Sequence, residues 1–491
     1  MFVMPRRGCI INLSPIQMNN ENISKYERGS IGEMIAIALP MVVSTSCETI
    51  MVFTDRMFLS RLGPEMMNAA MGGGLTCFVM MSFFLGLTGY STALTAQYLG
   101  ARRKKNCAVV ISQAAIISLA AYPVVLACRP FAHMLFEASG ITPSQLASQK
   151  LYFNIVLWAS VMGLLRNCFS AFFSGIGRTA IVMVSSITAM LINVFMNYVL
   201  IYGKFGCQAM GIRGAAYGTM IGGFSGLAVL AAAYFSKKNL REFHIPEALR
   251  FDRAVMAKLL RFGSSVGAEM FLNNLAFNFM VFIFYSRGPV TATAATIMFN
   301  WDMVSFLPLI GVEIGVTSLV GRSMGARDPA TAHRSVQSGL KLGFMYSAVI
   351  LVLFAGFPGM LVKVFRPDVA GHIFTSAQPT AVFMIRLASL YVLVEALLVV
   401  YIGALRGAGD TLWAMGMSVT MHWASVGVLA IMLLWAGAAA ENAWTVMVVM
   451  FLFFSVVAVL RYRSGKWKSI KMVHPEPVML PSDNFHETPD I

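Results

Sequence analysis

The sequence predicts an all-α membrane protein of twelve transmembrane helices in two parallel six-helix repeats, an N-lobe and a C-lobe, around a central cavity. Three observations predict it. The 491 residues are 57% hydrophobic and only 12% charged, with a mean hydropathy of +0.71, whereas soluble domains carry about 25% charged residues. Apolar windows of crossing length follow one another along the chain, a crossing helix needing about 20 residues for a hydrocarbon core of roughly 30 Å. The chain also repeats itself at an offset of 225 residues.

The windows run over 34–60, 69–98, 107–128, 150–174, 180–202, 212–235, 257–285, 291–320, 335–364, 379–404, 411–435 and 442–460. Short polar turns between long apolar segments favour helices, because a barrel would show weaker segments of about ten residues. The opening stretch MFVMPRRGCI and the residues up to 33 hold no apolar run of the length a cleaved leader needs, so the first window is expected to target the chain with nothing removed. Cys9, Cys47, Cys77, Cys107, Cys128, Cys168 and Cys207 are odd in number, mostly inside apolar windows and without a CxxC pair. They read as packing residues, with no disulfide framework or metal knuckle.

Lys and Arg set the orientation. Connections on the side of the N-terminus hold 25 of them and those on the other side 8, so both termini are expected in the cytoplasm of a cell-membrane protein. The formal net charge of +15 is then a consequence of topology. RRKK at 102–105 reads as an orienting loop, and no nucleic acid is implied.

The repeat divides the chain. RLGPEMMNAA (61–70) lies over SRGPVTATAA (286–295), matching Gly63 with Gly288 and Pro64 with Pro289. Gly100-Ala101-Arg102 falls on Gly325-Ala326-Arg327, and after a seven-residue drift Gly175–Thr179 falls on Gly407–Thr411. The expected divisions are a cytoplasmic segment 1–33, the N-lobe 34–235, a basic linker 236–256, the C-lobe 257–460 and a cytoplasmic tail 461–491. Six spans per repeat keep the two halves parallel, related by an axis along the membrane normal.

Within CETIMVFTDRMF (47–58), Glu48 and Asp55 stand seven residues apart. Seven residues are close to two helical turns, so both acids project from one face. Glu269, Asp302, Glu313 and Glu395 also lie inside windows. A carboxylate at the bilayer centre costs on the order of 2.5–3.5 kcal/mol on insertion scales, so such residues usually face the bundle interior. Glu269, Asp302 and Glu395 all fall near mid-depth and could form one cluster. Glu313, nearer a span end, reads more readily as structural. Arg166 and Arg386 are the basic residues read as deep in spans: Arg166 could pair with Glu48, and Arg386 could snorkel outward.

IALPM, FTDRMFLSRLG, TAQYLGARRKKN and MGIRGAAYGTMIG in the first half, with IGALRGAGDT in the second, make the chain resemble the multidrug and toxic compound extrusion (MATE) family. That family belongs to the multidrug/oligosaccharide-lipid/polysaccharide exporter superfamily, and the match covers roughly residues 30–460. The resemblance implies an antiporter, not an enzyme, that exports small organic cations by rocking of two lobes, driven by inward Na+ or H+, with no other cofactor, and working as a monomer in the bilayer. In the first lobe, similar members use an Asp at the position of Asp55 with an Asn, an Asp and a Thr, which here read Asn193, Asn197 and Thr219. Asn197 in place of Asp leaves one acid, which suits a proton better than a cation site that needs charge and several oxygens. In the second lobe, one branch uses a Glu on the seventh span and an Asp on the tenth. Here Asn273 occupies the former position, with Glu269 one turn earlier, and Glu395 the latter. Glu48, Asp302 and Glu395 are the candidates for the wall of the substrate cavity.

The 36 Met and 36 Phe residues could line an adaptable pocket, although most are expected to pack or face lipid. Pro40 and Pro308 are expected to bend the first and eighth spans. His422 reads as a satisfied interior histidine. A lipid-linked precursor flippase of the same superfamily is the alternative, and it would ask for a larger, more basic cavity. A membrane-embedded enzyme is remote, since no HExxH or nucleophile motif occurs.

Overall fold

The computed structural model describes residues 26–138, 141–366 and 372–473. Cys9, most of the 1–33 segment and residues 474–491 of the tail lie outside the described residues. Among the described residues, twelve apolar helices are long enough to cross a membrane: α1 (Ile31–Ser60), α2 (Glu65–Gly100), α3 (Lys104–Ala138), α4 (Pro143–Gly175), α5 (Thr179–Tyr202), α6 (Ile212–Tyr234), α7 (Arg253–Tyr285), α8 (Pro289–Gly325), α9 (Pro329–Gly356), α10 (His372–Ala408), α11 (Thr411–Trp435) and α12 (Ala440–Arg463). Among the described residues there is no strand. The chain is an all-α, multi-pass membrane protein.

Helix starts carry the expected chemistry. Asp252 accepts from the Val255 amide at 2.9 Å and Asp328 from the Thr331 amide at 2.9 Å, each satisfying an amide that lacks an intrahelical partner. The helices outrun several windows. Arg322 and Arg406, which the sequence assigns to turns, are helical because α8 runs to Gly325 and α10 to Ala408. Hydropathy reports apolar content, whereas a helix continues for as long as its backbone bonds close.

The repeat is visible in the backbone. Arg102 and Arg327 both take positive φ, at 62° and 58°, as do the paired glycines Gly63 and Gly288 and the pair Gly177 and Gly409. A non-glycine residue rarely adopts this conformation, so its recurrence at mated positions marks the same turn built twice. Between the lobes, short helices Lys237–Glu242 and Ile245–Ala248 form the linker. Glu242 accepts from Lys104 at 3.1 Å and Arg178 at 2.6 Å. Partial burial pushes its carboxyl up, but these two cations outweigh that and hold it below the usual range.

In the N-lobe α5 packs on α6 and α2 on α4, and in the C-lobe α10 packs on α8 and α9. Across the lobes α1 meets α8 and α2 meets α7. These contacts rest on glycine. A Cβ on Gly100 would lie 1.9 Å from the Arg322 carbonyl oxygen, and one on Gly325 would lie 2.0 Å from that of Gln97. Gly100 and Gln97 are the repeat mates of Gly325 and Arg322, so a pseudo-twofold axis passes between the ends of α2 and α8. Further along, the same test puts Gly267 2.4 Å from the Phe83 carbonyl oxygen and Gly311 2.5 Å from the Val42 amide. Thr45 reaches the Leu307 carbonyl at 3.3 Å, at the middle of α8 and beside Pro308. These cross-lobe contacts run from the ends of α2 and α8 nearest the termini to the middle of α8.

Pro40 and Pro308 do lie inside helices, as do Pro123 and Pro379. Pro308 lacks the amide that would bond back along α8, and in that turn Tyr346 of α9 donates to the Ser305 carbonyl at 3.1 Å.

Candidate functional site

The N-lobe site is built where α1 and α5 run side by side in parallel. Ser44 meets Ser186 at 2.6 Å and, three turns on, Asp55 meets Asn197, at the same sequence separation of 142. Asn197 donates to one carboxylate oxygen of Asp55 and Thr219 of α6 to the other at 2.9 Å. Asn193 completes the set, accepting from Asn197 at 3.3 Å and donating to Thr219 at 3.5 Å. Asp55 is 8% exposed, and both asparagines are fully buried. Glycines on α6 make room: a Cβ on Gly218 would lie 2.0 Å from the Asn197 Oδ1, and one on Gly222 2.7 Å from the Asn193 Cβ. Beside Thr219 lies a cavity of about 170 Å³ lined by Met81, Ser160, Gly163, Ala216 and Gly223. The four residues named for this lobe therefore meet around one carboxylate.

Glu48 stands on the same side of α1, paired with Arg166 of α4 at 3.2 Å. Arg166 also donates to Ser186 at 2.9 Å. The Glu48 side chain is 56% exposed although it sits mid-span. A charged group in that position points into a watered space rather than into lipid.

The expected C-lobe cluster of Glu269, Asp302 and Glu395 does not form as one group. Arg406, near the end of α10, bonds Glu269 at 3.0 Å and also bonds Glu313. The guanidinium draws Glu269 away and recruits Glu313, which sequence had set apart. Asp302 instead accepts from the Tyr391 hydroxyl, with Glu395 one turn further along α10 and within electrostatic reach of Asp302. Oε2 of Glu395 and Oε2 of Glu269 are buried without a hydrogen-bond partner. Among the described residues Asn273 has no hydrogen bond to Glu395. It donates to Ser418 of α11 at 2.8 Å, because its position on α7 turns it toward that helix. His422 is held by the Ser418 carbonyl at 2.8 Å. Arg386 is exposed among Phe383 and Leu390 on the outer surface of α10.

Sequence reasoning missed three participants. Tyr391, four residues before Glu395, offered a signal in its helical spacing. Arg406 and the buried Glu33–Arg322 pair offered none, because both arginines and Glu33 had been counted as loop residues. Of the six described cysteines, all are free thiols, four of them buried.

Among the described residues, twelve crossing helices in two repeated lobes, with buried acids in each lobe, define a membrane transporter rather than an enzyme. The particular family follows from comparison: the sequence model of the MatE family matches residues 40–199 and 266–435, and the chain belongs to that family. It is 24% identical over 450 residues to a probable multidrug resistance protein NorM of Thermotoga maritima, covering 91% of this chain and 95% of that one. It is 25% identical to the multidrug resistance protein PmpM of Pseudomonas aeruginosa, covering 81% and 82%. Among solved structures, a MATE transporter in complex with MaL6 shares the fold with a TM-score of 0.83 at 18% identity, over 92% of this chain and 99% of that one. An outward-facing MATE transporter matches with a TM-score of 0.82 at 18% identity, over 92% and 98%.

Proposed function

We propose that the chain is a secondary antiporter that exports small organic, cationic and amphipathic compounds in exchange for inward protons, working as a monomer with both termini in the cytoplasm. The observation that carries this reading is the setting of Asp55. Both its oxygens are held by neutral donors, Asn197 and Thr219, so it can gain or lose a proton without breaking an ion pair. A sodium site would ask for several oxygen ligands, whereas Asn197 presents its amide N–H to the carboxylate. The multidrug resistance names of the relatives support drug export.

In the proposed cycle the lobes open away from the termini and Asp55 takes up a proton. The N-lobe cluster then relaxes, the lobes rock about the glycine contacts, and the proton leaves on the terminal side. Glu48, Asp302 and Glu395 supply the negative charge that draws a cationic cargo into the cleft. Asp302 and Glu395 hold one proton between them, because like charges in a low-dielectric site do not both ionise cheaply, and cargo competes with that proton.

The test is transport in proteoliposomes under an imposed proton gradient or an imposed sodium gradient. Efflux of a fluorescent organic cation driven by protons alone is expected. Drive by sodium alone would reassign the coupling ion, and movement of a lipid-linked saccharide with neither gradient would favour a flippase. The topology has its own check: Arg103→Cys and Asp328→Cys are both expected to be labelled from the cytoplasm by an impermeant maleimide, and labelling of either from outside would overturn it.

A further inference from the structure

After α12 the chain turns at Gly465, whose φ is 69°, and enters a short 3-10 helix over Lys466–Ser469. Trp467 anchors it to the C-lobe. Its indole is 1% exposed and donates to the Tyr462 carbonyl at 3.0 Å. It also stacks on Tyr462, which in turn stacks on Tyr401 of α10, with centroids 5.2 and 4.5 Å apart. The next residues leave the C-lobe surface and enter the seam between the lobes. Met472 and Val473 are each 5% exposed and join the apolar core that contains Tyr90, Leu94 and Tyr98 of α2.

The Met472 thioether sits 3.3 Å from the Tyr90 hydroxyl and 3.2 Å from the Gln97 amide nitrogen. Gln97 donates across the seam to the Gly407 carbonyl of α10 at 2.8 Å. On the C-lobe side, a Cβ on Gly409 would lie 2.2 Å from the Met472 sulfur, so the turn after α10 is shaped around the thioether. Tyr90 is also where α2 breaks into Pro64–Gly89 and Ser91–Gly100. The second piece is the one pressed against Arg322 and Gly325 of α8. A residue tethered to one lobe therefore fills the joint of the helix by which the other lobe closes the terminal side.

We infer that Ile470–Val473 is a strap that holds the terminal-side gate shut and must withdraw before the lobes part there. For the ends of α2 and α8 to separate, Gln97 has to leave Gly407 and Met472 has to leave Tyr90 and Gln97. A thioether suits a contact that is made and broken each cycle, being polarizable, rotationally free and only a weak acceptor. The strap biases the equilibrium between the two openings, and so sets how readily the terminal side opens.

The inference rests on the alternating-access reading above, and its test reads the gate without transport. Two reporters are introduced singly into the full chain in lipid nanodiscs. Ser318→Cys lies in the closed seam, where Ser318 bonds the Ser174 carbonyl at 2.7 Å. Asn300→Cys is exposed in the open half, on the α8 face that continues upward from Gly311 and Leu307. Maleimide labelling at each is followed by peptide mass spectrometry, with Met472→Glu, Met472→Leu and a chain ending at Ser469 in turn. The Glu variant and the shortened chain are expected to raise labelling of Ser318→Cys about tenfold while lowering that of Asn300→Cys, as a population shift requires. The Leu variant should change neither by more than about twofold, since it keeps the apolar volume. Unchanged labelling of Ser318→Cys in both strap variants would overturn the proposal. So would a rise at both reporters together, which signals general loosening. In the unaltered strap, reciprocal movement of the two reporters with pH tests alternating access itself, so the two readings fail separately.

Discussion

The two lobes repeat one another in backbone yet treat their acids oppositely. In the N-lobe a single carboxylate, Asp55, is held by two neutral donors. In the C-lobe one guanidinium, Arg406, clamps two carboxylates, while Asp302 accepts from Tyr391 of α10 and Glu395 stands one turn further along that helix. A duplicated scaffold thus supports one acid whose hydrogen-bond donors are both neutral and, in the other lobe, two acids paired with an internal cation. The difference teaches that the repeat conserves turns and glycine contacts, which geometry demands, and leaves the chemistry of each lobe to diverge.

The largest effect is expected from removing the carboxylate that Asn197 and Thr219 hold in the N-lobe. Asp55→Asn should reduce gradient-driven efflux to the level of empty liposomes while the purified protein keeps its helicity and elution volume, because Asn retains the shape and one acceptor of the site. Normal efflux by this variant would erase the contrast between the lobes.

Next in size is the clamp. Arg406→Met leaves Glu269 and Glu313 facing one another unpaired, which should cost about 3–5 kcal/mol, the usual penalty for breaking a buried pair from one side. Thermal unfolding in detergent would show it as a large fall in midpoint, partly restored when Glu269→Gln and Glu313→Gln are added. Failure of that restoration would show that the arginine holds the lobe by packing alone.

A smaller and more selective effect is expected at the second acid pair. Glu395→Gln should weaken binding of a fluorescent organic cation and flatten its dependence on pH, because it removes one of the two carboxyls for which cargo and proton compete. Glu313→Gln should do little of either, since Arg406 keeps Glu269 as partner. Equilibrium titration of the two variants side by side distinguishes them, and equal pH responses would remove Glu395 from cargo binding.

The smallest effect belongs to the linker. Glu242 titrates below the ordinary carboxylate value in the folded chain, so its contribution is present at neutral pH and is lost as pH falls through that depressed value. With its side chain partly open to solvent, Glu242→Gln should cost roughly 1 kcal/mol or less at pH 7 and nothing in strong acid. Midpoints measured at the two pH values would show whether the linker bonds matter to stability at all.

The N-lobe site was legible because the family resemblance pairs its residues one by one, and the structure brings them together where α1 meets α5 in a parallel register and α6 follows α5. Spacing picked out Asp55, whereas Asn193, Asn197 and Thr219 came from the resemblance to the family. The C-lobe site was only half legible. Glu269, Asp302 and Glu395 share a depth, but depth does not say which way a helix is rotated. Arg406 was hidden because it stands two residues from the end of a helix that runs past its apolar window.

What the sequence determined by itself is everything that depends on contact with the bilayer or on local backbone geometry. The spans follow from the length of apolar runs, the two halves from the mated turns at Gly63 and Gly288 and at Arg102 and Arg327, and the interior placement of the acids from the cost of charge in lipid. What only the tertiary structure decided is lateral. Glu269 pairs with an arginine 137 residues away rather than with its neighbours in depth, and Met472 closes over Tyr90, 382 residues earlier. The physical reason is that lipid is as apolar as a leucine surface, so hydrophobicity drives a helix into the membrane without choosing its neighbours. That choice falls to glycine contacts, hydrogen bonds and ion pairs that no run of sequence contains.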